Sequence, residues 1–170
     1  MSSLNITREQ YIESLLKSYR LVKVLSDKNN CKVLHLRHKK INRDLVVRSF
    51  PKVIISYDIL CNILSKNLPE IYDTITLTDG QIVLEEFIRG ITVADVMKSG
   101  YYRYRGSKRV LADVCCALDV LHQNGIVHRD IKPENIIISD TGRVVLIDFN
   151  ISRKVSANTK DTVIMGTVGY

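Results

Sequence analysis

The spacing of apolar residues changes character near Gly90. Before it, short runs rich in β-branched and aliphatic residues alternate with polar turns, which is the pattern of antiparallel strands. Five such runs lie at 21–25, 31–36, 45–50, 71–78 and 81–88. The last two flank Asp79-Gly80, a dipeptide typical of two-residue hairpin turns. The first half therefore predicts a five-stranded antiparallel sheet.

Two helices are predicted in the same half. Thr7 and Gln10 have the spacing of a capping box, and the apolar residues that follow recur at helical intervals, so we expect a helix over about 8–17. A second helix is expected within 54–66, where Ile55, Ile59 and Ile63 share a face. It would be inserted after the third strand.

After Gly90 the pattern becomes helical. Residues 107–123 predict a long amphipathic helix that ends before Gly125. Its expected buried stripe consists of Leu111, Val114, Cys115, Leu118 and Leu121. A hairpin is expected from the apolar runs 136–138 and 144–147. The resulting fold class is α+β, with an N-terminal helix over 1–18, a β-rich lobe over 19–88 and a helical lobe over 89–170.

Composition narrows the class of protein. The 170 residues are 45% hydrophobic and 25% charged, which is ordinary for a globular domain and excludes a mainly disordered chain. No apolar run is long enough to span a bilayer, so no membrane partner is expected. The net charge of 25 − 18 = +7 permits a phosphate-bearing partner without specifying one.

Cysteine usage and the chain start suggest the compartment. None of the four cysteines forms a C-x-x-C pair, so we expect reduced, mostly buried thiols in a cytoplasmic protein. Residues 1–10 also lack a basic segment followed by an apolar stretch. The aromatic and basic segment 101–109 could bind nucleic acid, but a solvated loop leading into the long helix is the favoured interpretation, and no nucleic acid is expected.

The segment His128–Asn135, followed by Asp148-Phe149-Asn150, carries the informative chemistry. Asn135 and Asp148 offer the oxygen ligands that Mg²⁺ prefers. Asp130 could orient a hydroxyl proton, and Lys132 could neutralise charge on a transferred phosphoryl group. The alternative is a set of turn-forming polar residues between strands. The compound spacing favours phosphoryl transfer.

These residues resemble the eukaryotic-type, or Hanks-type, protein kinases. His128-Arg129-Asp130 with Asn135 is similar to the catalytic loop, and Asp148-Phe149-Asn150 is similar to D-F-G with Asn for Gly. Lys132 is the residue type of Ser/Thr kinases. Residues 166–170 are similar to the G-T-x-x-Y segment, and 161–170 resemble bacterial members. The resemblance covers about 19–170.

The resemblance implies ATP and Mg²⁺ as cofactors and a Ser/Thr hydroxyl of a protein as substrate. It assigns Asp130 as the catalytic base and Lys132 as the charge neutraliser, and Thr167 would bond to both of them. Asn135 and Asp148 would be the metal ligands. His128 would pack on Phe149 without acting as a base. The nucleotide-contacting positions that it implies are Ser26, Lys28, Val33, Val46, Arg48, Glu86, Ile88 and Ile137.

The N-terminal half departs from the family pattern. The three glycines of the phosphate loop map onto Ser26, Lys28 and Cys31, so the loop should cradle phosphates poorly. The third-strand lysine is replaced by Arg48, and Val46 replaces a small residue over the adenine.

Two partners of Arg48 remain open. The acid on the inserted helix is Asp58 in one register, whereas the other register puts Ile59 there. Glu85 takes the place of an apolar gatekeeper, and burial would require a partner for its carboxylate. Arg48 is a candidate partner for either acid.

The family pattern continues beyond Tyr170, so we expect a protein-kinase-like fold with an incomplete helical C-lobe, exposed apolar surface and self-association through it. Two alternatives to an active Ser/Thr kinase remain. One is a pseudokinase, and the other is a regulatory module that binds and blocks a complete kinase.

Overall fold

The computed structural model describes residues 5–100 and 104–154. They form two compact units. The first unit contains the residues up to Asn62 together with Glu70–Phe87, and the second contains Ile63–Pro69 together with the residues from Ile88 onward.

The first unit is a five-stranded antiparallel sheet with two helices, as predicted. Its strand order is β1-β2-β3-β5-β4. The elements in chain order are α1 (Arg8–Ser18), β1 (Tyr19–Lys28), β2 (Cys31–His38), β3 (Asp44–Phe50), α2 (Ile55–Leu60), β4 (Ile71–Leu77) and β5 (Gly80–Glu86).

One face of this sheet forms the core of the unit. Its buried residues are Leu34, Leu36, Leu45, Val47, Leu77 and Ile82, against which Ile12 and Leu15 of α1 pack. The capping box of Thr7 and Gln10 is formed as predicted. Ile12 and Leu15 are half-buried, so each contributes less than the burial free energy of a fully buried apolar side chain, which is about 1.5–3 kcal/mol.

Arg8 adds a polar anchor to α1. Its side chain is largely buried, and Nε donates to Asp79 Oδ2 at 3.2 Å. Nη1 donates to Asn30 O at 3.1 Å and to Ser49 Oγ at 3.2 Å. The guanidinium therefore joins the helix to the β1–β2 turn, to the β4–β5 turn and to β3.

The first hairpin is tighter than the sequence predicted. The predicted runs 21–25 and 31–36 leave residues 26–30 for the turn, but β1 runs to Lys28 and the turn is Asn29-Asn30 alone. Both asparagines have positive φ, 52° and 60°, the backbone of a type I′ turn. Asparagine tolerates this conformation better than most residues. Because the two asparagines form the whole turn, the polar residues before them can continue the strand.

Helix α2 is shorter than predicted, and the expectation of a helix to residue 66 is wrong. The helix ends at Leu60, and Leu64 is 84% exposed. Residues 63–69 belong to the second unit instead. There Asn67 Nδ2 donates to Val144 O at 2.9 Å, and Leu146 N donates to Asn67 O at 3.0 Å.

The second unit combines two helices with short strands. Its elements are β6 (Gly90–Thr92), α3 (Val93–Lys98), α4 (Tyr104–Gln123), β7 (Ile126–Val127), a 3₁₀ turn (Pro133–Asn135), β8 (Ile136–Ser139), β9 (Val144–Leu146) and β10 (Arg153–Lys154). The predicted hairpin is β8–β9, and β6 pairs with β8. Helix α3 and strands β6, β7 and β10 were not predicted because each is too short to show a period.

Helix α4 was predicted, and its buried face was predicted in part, because Val114 and Leu121 of the expected stripe are buried. The residues that pack inward are Val110, Val114, Ala117 and Leu121, whereas Leu111 is 63% exposed. Cys115 and Cys116 are also exposed, which corrects the expectation of mostly buried thiols. The helix carries two overlapping apolar stripes, and periodicity alone does not distinguish them. No helix within residues 5–100 and 104–154 is long and apolar enough to cross a membrane.

Candidate active site

Three predicted site residues form one hydrogen-bonded cluster in the second unit. Asn135 Nδ2 donates to Asp130 O at 2.8 Å and to Asp130 Oδ2 at 2.9 Å. Lys132 Nζ lies 2.8 Å from the same Oδ2. Asp130 and Lys132 are only 13% and 20% exposed, so their interaction is screened less than a surface ion pair would be. The loop thus fixes one carboxylate between a cation and an amide.

His128 is hydrogen-bonded to this loop and to the segment after β9. It is buried, and its Nε2 lies 3.1 Å from Ile147 O while Asp130 N donates to Nδ1 at 3.3 Å. These contacts assign the neutral tautomer with the proton on Nε2. Burial lowers the pKa of His128. Its ring meets Phe149 edge-on at 5.1 Å, so the expected packing is confirmed.

The segment after β9 brings Asp148 next to this loop. Ile147 N donates to Asn135 O at 2.9 Å, so the residue before Asp148 is tied to the 3₁₀ turn. Asp148 has φ of 72° and Arg129 has φ of 70°. Non-glycine residues in this region cost roughly 1–3 kcal/mol each and persist where surrounding contacts fix them. The two strained residues flank the clustered side chains in sequence.

The donor chemistry of Asn135 and Asp148 fits Mg²⁺. The two bonds of Asn135 Nδ2 orient its amide, and its carbonyl Oδ1 is then the atom left for a cation. Asp148 adds a carboxylate. Within the described ranges there is no cluster of three or more His, Cys, Asp or Glu that could hold a metal ion. Mg²⁺ commonly uses one or two carboxylates together with waters and substrate phosphates, and a carboxylate with an amide oxygen is compatible with that preference.

The first unit gathers several predicted nucleotide-contacting residues on one face of the sheet. Ser26 is opposite Val33, and Val33 is opposite Arg48. Val46 shares their face because side chains alternate along a strand. Lys28 does so because its partner Cys31 lies two residues from Val33. This is the face opposite the α1 core, so strand register alone brings these residues together.

Arg48 is paired within this face. Its Nε donates to Glu85 Oε1 at 2.7 Å, and the side chains are 7% and 3% exposed. Asp58, the other suggested partner, accepts from Gln81 Nε2 at 3.0 Å. Of the two acids considered from the sequence, Glu85 is the one that the structure places on Arg48. A buried carboxylate at this position therefore has the counter-charge it requires.

A second polar network on the same face of the sheet was not predicted. Asp44 Oδ1 lies 2.7 Å from both His35 Nε2 and Arg37 Nε, and the His35 ring stacks on Phe87 at 3.7 Å. Burial alone raises the pKa of Asp44, but hydrogen bonds from Arg37 and His35 outweigh it and lower the pKa. No local motif signals this network, because its members are brought together by the β2–β3 register.

The remaining predicted residues are placed separately. Glu86 N donates to Glu70 O at 2.8 Å at the end of β5. Ile88 and Ile137 lie in the second unit, buried and half-buried. Asn150 does not have the positive φ that would require glycine. Thr167 lies outside the described residues.

Comparison with known proteins finds similarity to protein kinases. The family model described as protein kinase domain matches residues 20–170. Serine/threonine-protein kinase PknB of Mycobacterium tuberculosis is 38% identical over 93 residues, which is 52% of this chain and 15% of that protein.

Two other relatives match more of the chain. Probable serine/threonine-protein kinase pknA2 of Bifidobacterium longum is 31% identical over 143 residues, covering 82% of this chain and 18% of the relative. A probable serine/threonine-protein kinase of Clostridium perfringens is 30% identical over 132 residues, covering 76% of this chain and 19% of the relative. The chain spans less than a fifth of the length of these curated relatives.

Proposed function

The chain belongs to the protein kinase domain family, and on that premise we propose that it transfers the terminal phosphoryl group of ATP to Ser or Thr hydroxyls of a protein. The observation that carries the proposal is the carboxylate of Asp130, held by Lys132 and Asn135 at 2.8–2.9 Å. Phosphoryl transfer requires mainly positioning and charge neutralisation, and this cluster offers both.

Each residue of the cluster has a distinct role in the proposal. Asp130 accepts or orients the proton of the attacking hydroxyl, which must be within hydrogen-bond reach of Oδ1 or Oδ2. Lys132 neutralises negative charge that develops on the phosphoryl oxygens. Asn135 fixes the Asp130 carboxylate through its amide nitrogen. Thr167 would bond to Asp130 and Lys132 and line the substrate site.

Metal and nucleotide binding use the remaining candidates. Asn135 Oδ1 and the Asp148 carboxylate would hold Mg²⁺, which supplies charge neutralisation for the phosphates of ATP when bound. Arg48 would contact the α- and β-phosphates. The family resemblance assigns the other nucleotide contacts to Ser26, Lys28, Val33, Val46 and Glu86 of the first unit and to Ile88 and Ile137 of the second.

We place this activity in the cytoplasm. The four cysteines are free, and Cys115 and Cys116 are exposed. Exposed thiols remain reduced in the cytosol.

The direct test is a phosphorylation assay with radiolabelled ATP, Mg²⁺ and a generic Ser/Thr protein substrate. We expect incorporation by the native chain and a loss of about 10²–10⁴-fold in Asp130→Asn. Asp119→Asn is the matched control, because Asp119 is an exposed acid of α4. Equal activity in Asp130→Asn and the native chain would remove Asp130 from the mechanism.

The second candidate is a pseudokinase that binds a partner with little turnover. It is favoured by the closed Asn29-Asn30 hairpin, since glycine backbones approach phosphates more closely than side-chain-bearing ones. Thermal melting with ATP, with and without Mg²⁺, separates the two functions. A Mg²⁺-dependent shift that is absent in Asp148→Ala supports the nucleotide binding that the kinase requires, whereas no shift in the native chain supports the pseudokinase.

A further inference from the structure

The buried pair of Arg48 and Glu85 lies entirely within the sheet of the first unit. Val46 is directly opposite Glu85 in the β3–β5 ladder, and Arg48 lies two residues further along β3. The two charged residues are therefore diagonal neighbours on one face, within reach of each other's long side chains. The 2.7 Å bond between Arg48 Nε and Glu85 Oε1 spans two strands that are themselves held by backbone hydrogen bonds.

Helix α2 is anchored at a different point of the same strand. Gln81 is fully buried, and its Oε1 accepts from Ile54 N at 2.9 Å while its Nε2 donates to Asp58 Oδ1 at 3.0 Å. Both ends of this side-chain amide are thus used to hold the beginning of α2. Asp58, the acid of the helix, is therefore bonded to Gln81, which lies four positions before Glu85 in β5.

We propose that Glu85 is the positioning residue for Arg48, so that the sheet, and not helix α2, sets the direction of the guanidinium. This inference rests on the proposed function, in which Arg48 contacts the nucleotide phosphates. Arginine carries five N–H donors in a planar group, so the bond from Nε to Glu85 Oε1 engages one donor and orients the whole plane. A displacement of α2 would then leave the phosphate-contacting cation in place.

The test separates phosphate binding from adenosine binding. Calorimetry measures the affinity of the full chain for ATP-Mg²⁺ and for adenosine in Arg48→Met, Glu85→Gln and Asp58→Asn. We expect Arg48→Met and Glu85→Gln each to weaken ATP-Mg²⁺ binding by about tenfold or more, with adenosine affinity changed by less than about twofold. We expect no change in Asp58→Asn, which makes the same carboxylate-to-amide substitution on α2. The double variant of Arg48 and Glu85 should lose little more than Arg48→Met alone, because coupled residues are not additive.

Glu85→Gln leaves a buried cation without its counter-charge, so a second variant guards against loss of folding. Glu85→Asp keeps the charge and shortens the side chain by one methylene. It should melt as the native chain does within a few degrees, yet bind ATP-Mg²⁺ about three- to tenfold more weakly with adenosine affinity unchanged.

Two results overturn the inference, and they differ. If the native chain binds ATP-Mg²⁺ and both Glu85 variants bind it equally well, or Asp58→Asn weakens it as much as they do, Glu85 does not position Arg48. If the native chain does not bind ATP-Mg²⁺ at all, the proposed function fails and the inference fails with it.

Discussion

Replacement of Asn135 by leucine tests whether its amide holds the candidate catalytic loop together. The substitution keeps the approximate volume and removes the two Nδ2 hydrogen bonds, to Asp130 O at 2.8 Å and to Asp130 Oδ2 at 2.9 Å. A bond to a neutral acceptor contributes about 1 kcal/mol and one to a charged acceptor about 1.5–3 kcal/mol. Because Asn135 is 5% exposed, water cannot replace these bonds readily.

The expected loss in free energy of unfolding is therefore about 2–4 kcal/mol. It is measured by urea denaturation followed by circular dichroism. The control is Asn124→Leu in the same unit, because Asn124 makes a single exposed bond through Nδ2 to Val120 O. Such a surface change is expected to cost at most about 0.5–1 kcal/mol.

The same variant has a functional readout. Removal of Oδ1 takes away one of the two proposed Mg²⁺ ligands, so ATP binding in Asn135→Leu should no longer depend on Mg²⁺ concentration as it does in Asn124→Leu. An unfolding free energy within 0.5 kcal/mol of the control would refute the assigned role of the amide in the loop. Unchanged Mg²⁺ dependence would refute its role as a ligand.

Three further predictions concern the first unit. Hydrogen bonds hold the pKa of Asp44 below its ordinary value of 3.8, so the stability it contributes is present above that pH and is lost as the pH falls below it. In Asp44→Asn the unfolding free energy should therefore vary less with pH between about pH 5 and 2. A pH dependence equal to that of the native chain would contradict this. Arg8→Met should lower the unfolding free energy by about 1–3 kcal/mol relative to Lys17→Met on the same helix, and equal urea midpoints would show that the anchor contributes nothing. Asn30→Val should destabilise by roughly 1–3 kcal/mol because of its positive φ, whereas Asn30→Gly should be neutral or stabilising in the same assay; the reverse order would exclude the turn conformation.

The sequence predicted those features that depend on nearby residues. The Asp79-Gly80 signal predicted the β4–β5 hairpin connection to within one residue, because the loop is Thr78-Asp79 and Gly80 begins β5. The runs of β-branched residues specify the strands of the sheet locally. The cluster of Asp130, Lys132 and Asn135 lies within six consecutive positions, so its spacing alone indicated a shared site.

Other features depend on packing that the sequence does not display. The end of α2 at Leu60 was not visible in the sequence, because residues 63–69 belong to the second unit, where Asn67 bonds to β9. The sequence did not show which face of α4 packs inward, because one apolar stripe begins at Val110 and another at Leu111. The Arg48–Glu85 pair joins residues 37 positions apart and could be suggested only once the strands were aligned.

The path of the chain has a consequence for any attempt to divide the molecule. It crosses between the two units three times, after Asn62, after Pro69 and after Phe87. A peptide beginning at Ile88 would therefore lack Ile63–Pro69, the stretch whose backbone bonds to β9. If the chain were cut after Phe87 and the halves co-expressed, residues 63–69 would be in one fragment and β9 in the other. The hydrogen bond from Leu146 N to Asn67 O would then have to form between the two fragments.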